Sequence, residues 1–450
     1  MNIIVVGAGK VGRQIIGELS DSCDIVLIEN SEKIIEDITS EYDIQSILGN
    51  AVNVDVLKEA GAKNADIFIS VTGSDELNII SSMIANKLGA KSTVARVRSP
   101  EYSKSAKFLS SSLNITKLIN PDEEAAVQIL EIIKYPLAKS IEHFANKKLQ
   151  MVEFKIPNGS YLDGIDLKSF RKTLGYNMIV CIVERGEEVI IPKGDTILRS
   201  NDNIYVTGSK KDMDKFYDSI NVKTKKIKKV MLIGASKICF FLTELLLNEK
   251  KDVKIIEIDR SIAEEIAIKY PEATVINKDG TNQNYLIEEG ITSYDCVVSL
   301  TGIDEENIIL SLYSSYLGVN KSIAKVNRIN MIKLIENKGL DTAVVPKGII
   351  ANQIVRFVRS KMDSGNSTIE NLYKLSNRRI EAIEFVIKEK ADYTDIKLKD
   401  LSMKENTLIA FIYRKNHIIF PTGEDVLKMG DRVVIITSFE DVTRISDLFI

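Results

Sequence analysis

Short apolar runs alternate with amphipathic segments through residues 1–120. The runs predict strands at Asn2–Val6, Asp24–Glu29, Ile44–Leu48, Asp66–Val71, Thr93–Val97 and Thr116–Ile119. Helix-like segments fall between them. One is Ser74–Leu88, which opens on Ser74, Asp75 and Glu76, an N-terminal capping signal. Alternation of strand and helix predicts a parallel sheet covered on both faces. From about residue 150 the pattern changes to a strand-rich piece with Gly and Asn turns and one closing helix. Between the two runs Pro121–Lys148, a long helical pattern with Ile129, Ile132, Ile133 and Leu137 at spacings near three to four. Pro136 should kink or split it, because proline lacks the N–H and crowds the preceding turn.

The whole pattern then repeats. Residues 1–7 (MNIIVVG) return as 228–234 (KKVMLIG), and Thr72 and Thr301 stand 229 residues apart. The strand-rich piece returns too: IPKGDTILRSNDNIYV at 191–206 matches FPTGEDVLKMGDRVVI at 420–435. The expected fold is α/β: two tandem Rossmann-like, doubly wound parallel-sheet domains, each followed by a small α+β domain. The expected boundaries are 1–120, crossover helices 121–149, 150–220, a Lys-rich linker 221–229, 230–345, crossover helices 346–380, and 381–450. The apolar face of each crossover helix needs a cover. A neighbouring subunit, the other copy or the parent domain would serve. Lys223–Lys229 carries five lysines and reads as a solvated linker running into the next strand, or as a contact for an anionic surface.

Composition narrows the functions. Sixty basic and sixty-three acidic residues leave a net charge of −3, which gives no case for nucleic acid or for an anionic membrane surface. Two histidines, His143 and His417, do not make a His-based metal centre. The four cysteines lie far apart with no CxxC pair and read as small apolar residues in a reducing compartment. The N-terminus shows no signal-peptide pattern, and no apolar run is long enough for a membrane span. A cytoplasmic protein with no direct membrane insertion is expected.

The candidate chemistry begins at Gly7-Ala8-Gly9-Lys10-Val11-Gly12, a full G-x-G-x-x-G between a strand and a helix. Gly7 permits the tight turn, Gly9 lets backbone approach a pyrophosphate, and Gly12 lets helix and strand pack closely. Free N–H groups and the positive end of the helix dipole face the phosphates. Glu29 ends the second strand, twenty residues after Gly9, where a carboxylate accepts ribose hydroxyls and repels a 2′-phosphate. NADPH is therefore disfavoured. Arg96 and Arg98, two apart on the fifth predicted strand, should share a face at the crevice. They would hold a phosphate by paired hydrogen bonds, or make surface ion pairs. Thr72, Ser74, Asp75 and Asn78 follow the fourth strand and would line the crevice, although capping explains Ser74 and Asp75 as well. In the second copy, Gly234-Ala235-Ser236-Lys237-Ile238-Cys239 keeps only the first glycine. Glu257 keeps the ribose-type acid, while Lys325 and Asn327 replace the arginines. Nucleotide affinity there is in question.

Signs of turnover are few. A dehydrogenase needs a proton donor beside the nicotinamide and a substrate pocket. Tyr135-Pro-Leu-Ala-Lys139 has the Y-x-x-x-K spacing, but Pro136 interrupts the helix that would align the pair, and a Walker P-loop is absent. Binding without turnover is the expected mode. An NAD-dependent oxidoreductase and a redox-sensing NAD-binding protein are the alternatives.

GAGKVG at 7–12, GNAVNVDVLKEAGAKNAD at 49–66, VTGSDELN at 71–78 and ARVRSPEY at 95–102 together resemble the regulatory subunits of Trk-type potassium uptake systems, built from two RCK units. The resemblance spans essentially the whole chain. It implies a peripheral homotetrameric gating ring at the cytoplasmic face, beneath a membrane-embedded potassium translocating subunit. It also implies NAD(H), ATP and ADP as ligands. By motif position it places Gly7, Gly9 and Gly12 at phosphate, Glu29 at ribose and Asn50 with Ala51 on the adenine side, with Lys10 and Val11 of the same motif also binding the cofactor. Thr72 and Asp75 would line the pocket, Arg96 and Arg98 would reach the terminal phosphate, and Glu257 would serve the second copy.

Overall fold

The computed structural model describes all residues except 146–147, 176, 220–225, 329–330, 332–341, 363–366, 377–378, 440–441 and 450. Two compact units emerge. One comprises Met1–Lys134 with Lys225–Val355, the other Tyr135–Thr224 with Arg356–Ile450.

The first unit holds both Rossmann copies. Strands β1 (Asn2–Val6), β2 (Asp24–Glu29), β3 (Gln45–Leu48), β4 (Ile67–Ser70), β5 (Ser92–Arg96) and β6 (Lys117–Ile119) form a parallel sheet in the order β3-β2-β1-β4-β5-β6. The order reverses between β1 and β4, so a crevice opens at their carboxyl ends, the usual ligand position of such sheets. Helices cover both faces, which is why β1 and β4 read as unbroken apolar runs.

The second copy repeats the arrangement. Its strands are β12 (Lys229–Ile233), β13 (Asp252–Glu257), β14 (Thr274–Asn277), β15 (Cys296–Ser299), β16 (Lys321–Lys325) and β17 (Thr342–Val344), in the order β14-β13-β12-β15-β16-β17. Of the Lys-rich linker 221–229, residues 221–225 lie outside the described residues. The N–H groups of Lys228 and Lys229 donate to Asp295 Oδ2 at 2.8 and 3.0 Å, so the linker's end is docked on the second sheet.

The cover for the first crossover helix, Pro121–Lys134, is the other copy. Ala125, Ala126, Ile129 and Ile133 share one buried cluster with Leu242 and Leu246 of the helix Lys237–Asn248. Lys134 Nζ also pairs with Glu249 at 2.6 Å.

The second unit holds two antiparallel sheets. One consists of β7 (Ala138–Phe144), β8 (Leu149–Lys155), β9 (Met178–Arg185), β10 (Glu188–Ile190) and β11 (Asn203–Ser209), in the order β10-β9-β11-β8-β7. The other consists of β18 (Ser367–Leu375), β19 (Ile380–Ile387), β20 (Thr407–Arg414), β21 (His417–Ile419) and β22 (Arg432–Thr437), in the order β18-β19-β22-β20-β21. Phe144, Met151 and Cys181 pack with Phe411, Val434 and Ile436, so the two sheets share a core. The repeat extends to ion pairs. Arg185 grips the buried Asp202, with its Nη2 also on Ile197 O, just as Arg414 grips Asp431 with its Nη2 on Val426 O.

The helical reading of Pro121–Lys148 needs correction. The helix stops at Lys134, before Pro136, and residues 138–144 form β7. The cause is visible in its burial. Ala138 and Ile141 enter the core of their own sheet, and Phe144 points to the core shared with the other sheet. With a bulge between Ala138 and Ser140, buried positions recur every third residue and imitate a helix. The expected helical span 346–380 differs in the same way. Its helix is Pro346–Lys361, and Ser367–Leu375 is the doubly covered strand β18.

Candidate functional site

At the carboxyl ends of β1 and β4 lies a cavity of about 490 Å³. Gly7, Gly9, Lys10 and Val11 line it from the first turn. Glu29, Asn50 and Ala51 line it from the β2 side, and Thr72, Arg96 and Arg98 from the far side.

The three motif glycines have separate duties. Gly7 sits at φ +90°, a region open to glycine, and an added Cβ there would stand 3.0 Å from Thr72 Cγ2. Gly9 has open space beside its Cα and borders the cavity. Gly12 does not line the cavity. A Cβ on it would come to 2.0 Å from Gly7 O, so its duty is the close seat of the helix Lys10–Leu19 on β1. Placing Gly12 at phosphate is thus corrected to a packing role.

Glu29 is fixed by its own loop. Its Oε2 accepts Ala8 N–H and its Oε1 accepts Asn30 N–H, both at 2.8 Å. That leaves lone pairs of a fixed carboxylate at the cavity edge, suited to ribose hydroxyls. Asn50 turns its own loop, with Oδ1 accepting Val52 N–H at 3.1 Å.

Two expected pocket residues turn out to be supports. Asp75 does not line the cavity. Its Oδ2 accepts the N–H groups of Arg98 and Ser99 at 2.8 Å each and shapes the turn after β5. Asn78 is fully buried. Its Oδ1 accepts Thr72 N–H and Oγ1–H at 2.9 and 2.7 Å, and its Nδ2 donates to Arg96 O at 2.9 Å, tying β4 to β5. Ser74 caps the helix Asp75–Leu88 through Leu77 N–H, as its capping signal suggests.

The two arginines behave differently. Strand β5 ends at Arg96, so Arg98 lies beyond it and the shared strand face does not hold. Arg98 Nε donates to the nearly buried Asp122 at 2.9 Å, so this arginine makes the ion pair and still borders the cavity. Arg96 Nη1 donates to Thr72 O at 3.3 Å, while its buried Nε finds no partner among the described residues. Burial first, and then the charge of Arg98, hold its guanidinium below the ordinary arginine value. An anion would relieve both strains.

Lys347 is a lining residue that motif reasoning misses. It belongs to the second copy, on the helix Pro346–Lys361, and a local motif cannot report a residue from elsewhere in the chain. Lys10, Arg96, Arg98 and Lys347 thus face a cavity whose only lining carboxylate among the described residues is Glu29.

The second copy has a cavity of about 570 Å³ with the opposite charge. Glu257, Asp279 and Glu306 line it, and among the described residues no lysine or arginine does. Glu257 is held like Glu29, accepting the N–H groups of Ala235 and Asp259. The first helical turn differs there: Ser236 O accepts Cys239 N–H at 2.7 Å and Phe240 N–H at 3.4 Å, where the first copy's Gly9 O accepts the equivalent Arg13 N–H at 2.9 Å. Lys325 turns to backbone, its Nζ donating to Leu300 O. The fold survives the loss of glycines, but the phosphate-side charge does not.

Comparison with known proteins agrees with this architecture. The TrkA-N domain family matches residues 3–121 and 230–346, and the TrkA-C domain family matches 151–221 and 382–450. A fold of two Rossmann copies, each followed by an antiparallel-sheet piece, with one basic nucleotide-type crevice, defines the class: tandem regulatory domains of the RCK type. The chain belongs to the TrkA family. It is 32% identical over 457 residues to the Trk system potassium uptake protein TrkA homolog 1 of Methanosarcina mazei, covering 100% of both chains. It is 30% identical over 458 residues to the Trk system potassium uptake protein TrkA of Haemophilus influenzae, covering 100% of this chain and 98% of that one. Among solved structures, the GsuK RCK domain superimposes with a TM-score of 0.62 at 16% identity, covering 97% of this chain and 92% of that one. The GsuK channel bound to NAD gives 0.63 at 16% identity, covering 97% and 76%. These two likenesses concern the fold.

Proposed function

We propose that this chain is the nucleotide-sensing regulatory subunit of a Trk-type potassium uptake system. It binds NAD(H), ATP or ADP in the first Rossmann cavity and converts the occupant's identity into subunit geometry. In this reading the protein assembles as a homotetrameric gating ring and acts at the cytoplasmic face of a membrane through a membrane-embedded potassium translocating subunit. No helix among the described residues is long and apolar enough to cross a membrane.

The observation that carries the reading is the cation-lined crevice beside a fixed ribose-type carboxylate. Lys10, Arg96 and Arg98 suit a polyphosphate, and Glu29 suits a ribose. His143 lies on β7 and His417 on β21, and neither is among the residues that line this cavity. Tyr135 donates its hydroxyl to Asp214 at 2.8 Å and Lys139 lies on β7, so the Y-x-x-x-K spacing does not share a helix face.

A bound nucleotide shifts the assembly only by the difference in its affinity for two arrangements, and about 1–3 kcal/mol of coupling suffices. Calorimetric titration of the full chain with ATP, ADP and NADH tests the reading. Arg96→Ala is expected to erase the preference between ATP and ADP while sparing NADH. Equal loss of all three, or sustained NADH consumption by the wild type, would contradict it.

A further inference from the structure

The two crossover helices start at equivalent positions with opposite charges. Residues 120–129 read NPDEEAAVQI and residues 345–354 read VPKGIIANQI, so Asp122 and Lys347 correspond. In the first copy Asp122 is nearly buried and takes the Nε–H of Arg98. It also lies within electrostatic reach of Lys325, the second copy's counterpart of Arg96. In the second copy Lys347 reaches the other way, lining the first copy's cavity beside Arg96 and Arg98.

Its surroundings are unusual for a lysine. Among the described residues its ammonium has no carboxylate in ion-pair contact. Burial first, and then the charges of Lys10 and Arg96, hold it below the ordinary lysine range, with Asp304 opposing. A second cavity of about 410 Å³ lies between the helix Lys10–Leu19 and the second copy, and Lys10 and Lys347 line both. The partition between the two cavities therefore includes one lysine from each copy. Like charges gathered at a cavity wall cost energy when the cavity holds water, and the cost falls when a multivalent anion enters.

From this placement we infer that the nucleotide site is composite: Lys347 of the second copy is a phosphate ligand for the first copy's cavity, so a bound polyphosphate ties the two Rossmann copies together. The inference rests on the nucleotide reading of the first cavity and adds the residue through which the second copy senses the occupant. It also gives the second copy a task although its own cavity is acidic. The tied lysine is the second residue of the helix Pro346–Lys361, from which the chain runs on to β18.

The test is calorimetric titration of the full chain with ATP and, separately, adenosine, using wild type, Lys347→Met and Lys347→Arg. Methionine keeps an unbranched apolar stem and removes the charge. Lys347→Met is expected to weaken ATP about 10- to 100-fold, the worth of one charge-assisted hydrogen bond, and to leave adenosine within twofold. Lys347→Arg should stay within about fivefold of wild type for ATP, since a guanidinium also binds phosphate. The ligand-free melting temperature of Lys347→Met should not fall, because the change removes one of several like charges. ATP binding by Lys347→Met at wild-type strength would overturn the inference. So would a lowered melting temperature with parallel loss of ATP and adenosine, which would make Lys347 a structural residue. A flat wild-type titration with both ligands would instead overturn the nucleotide reading itself, and is told apart because no variant is needed to see it.

Discussion

Adding one methyl group at each of two motif glycines separates binding from packing. At Gly12 a Cβ would stand 2.0 Å from Gly7 O and 3.0 Å from Gly7 C. Ordinary carbon contacts lie near 3.5 Å, so the helix must retreat from β1 by on the order of 1 Å. Overpacking of this kind costs about 1–3 kcal/mol. The melting temperature should fall by roughly 2–4 °C per kcal/mol for a domain of this size. The same retreat carries the helix N-terminus away from the phosphates, so affinity falls as well. Gly9 is the contrast. Its φ of −65° and ψ of −174° suit alanine, and nothing lies within 4 Å of the added Cβ. Gly9→Ala should therefore hold or raise stability, by up to about 1 kcal/mol through the unfolded chain. On the proposed nucleotide reading, its methyl group stands where a pyrophosphate would approach. Loss of one charge-assisted hydrogen bond, about 1.5–3 kcal/mol, corresponds to about 10- to 100-fold weaker ATP or NADH binding. Thermal unfolding without ligand, followed by calorimetric titration, reads both quantities. Full nucleotide affinity in a well-folded Gly9→Ala protein would refute the assignment of the cavity, and an unchanged melting temperature in Gly12→Ala would refute the packing argument.

Two further outcomes test the scaffold. Asn78→Ala strands buried donors and acceptors at the ends of β4 and β5 and is expected to cost about 2–4 kcal/mol in urea unfolding; a change below about 0.5 kcal/mol would contradict its role as a tie. Burial first, and then the charge of Glu184, push the Glu153 carboxyl up from its ordinary value of 4.5, while Lys139 and the Ser140 hydroxyl oppose. A raised folded value means the folded state holds the proton longer, so this group's stabilisation is complete below pH 4.5 and is lost as pH rises through the folded value. Glu153→Gln should therefore gain on the wild type between pH 4.5 and 8 in thermal melts, and a difference constant across that range would contradict the assignment.

The Rossmann cores were legible because the central strands are covered on both faces, so β1, β2 and β4 read as apolar runs bounded by turns. The motif glycines and Glu29 were legible because their spacing follows from one strand–turn–helix unit. What escaped was non-local. Strand β7 serves two cores at once, and its buried positions fall at a helix-like interval until the second sheet is in place. Arg98 reads as a partner of Arg96, but the strand ends one residue after Ala95 and Asp122 claims the guanidinium. Asp75 and Asn78 follow β4 like pocket residues, yet the backbone of the neighbouring β5 loop needs acceptors and donors there, and they supply them. Lys347 lies 251 residues after Arg96 in the chain, and only the packing of the copies brings it to the cavity.

The central claim is that the occupant of the first cavity sets the activity of a potassium path in another subunit. The direct measurement is potassium flux into proteoliposomes that hold the cognate translocating subunit, with this protein added alone and with ATP, ADP or NADH. The account predicts that flux depends on this protein, that ATP and ADP give different rates, and that Gly9→Ala abolishes the difference. Flux that is indifferent to the protein, or the same whichever nucleotide is present, would contradict it.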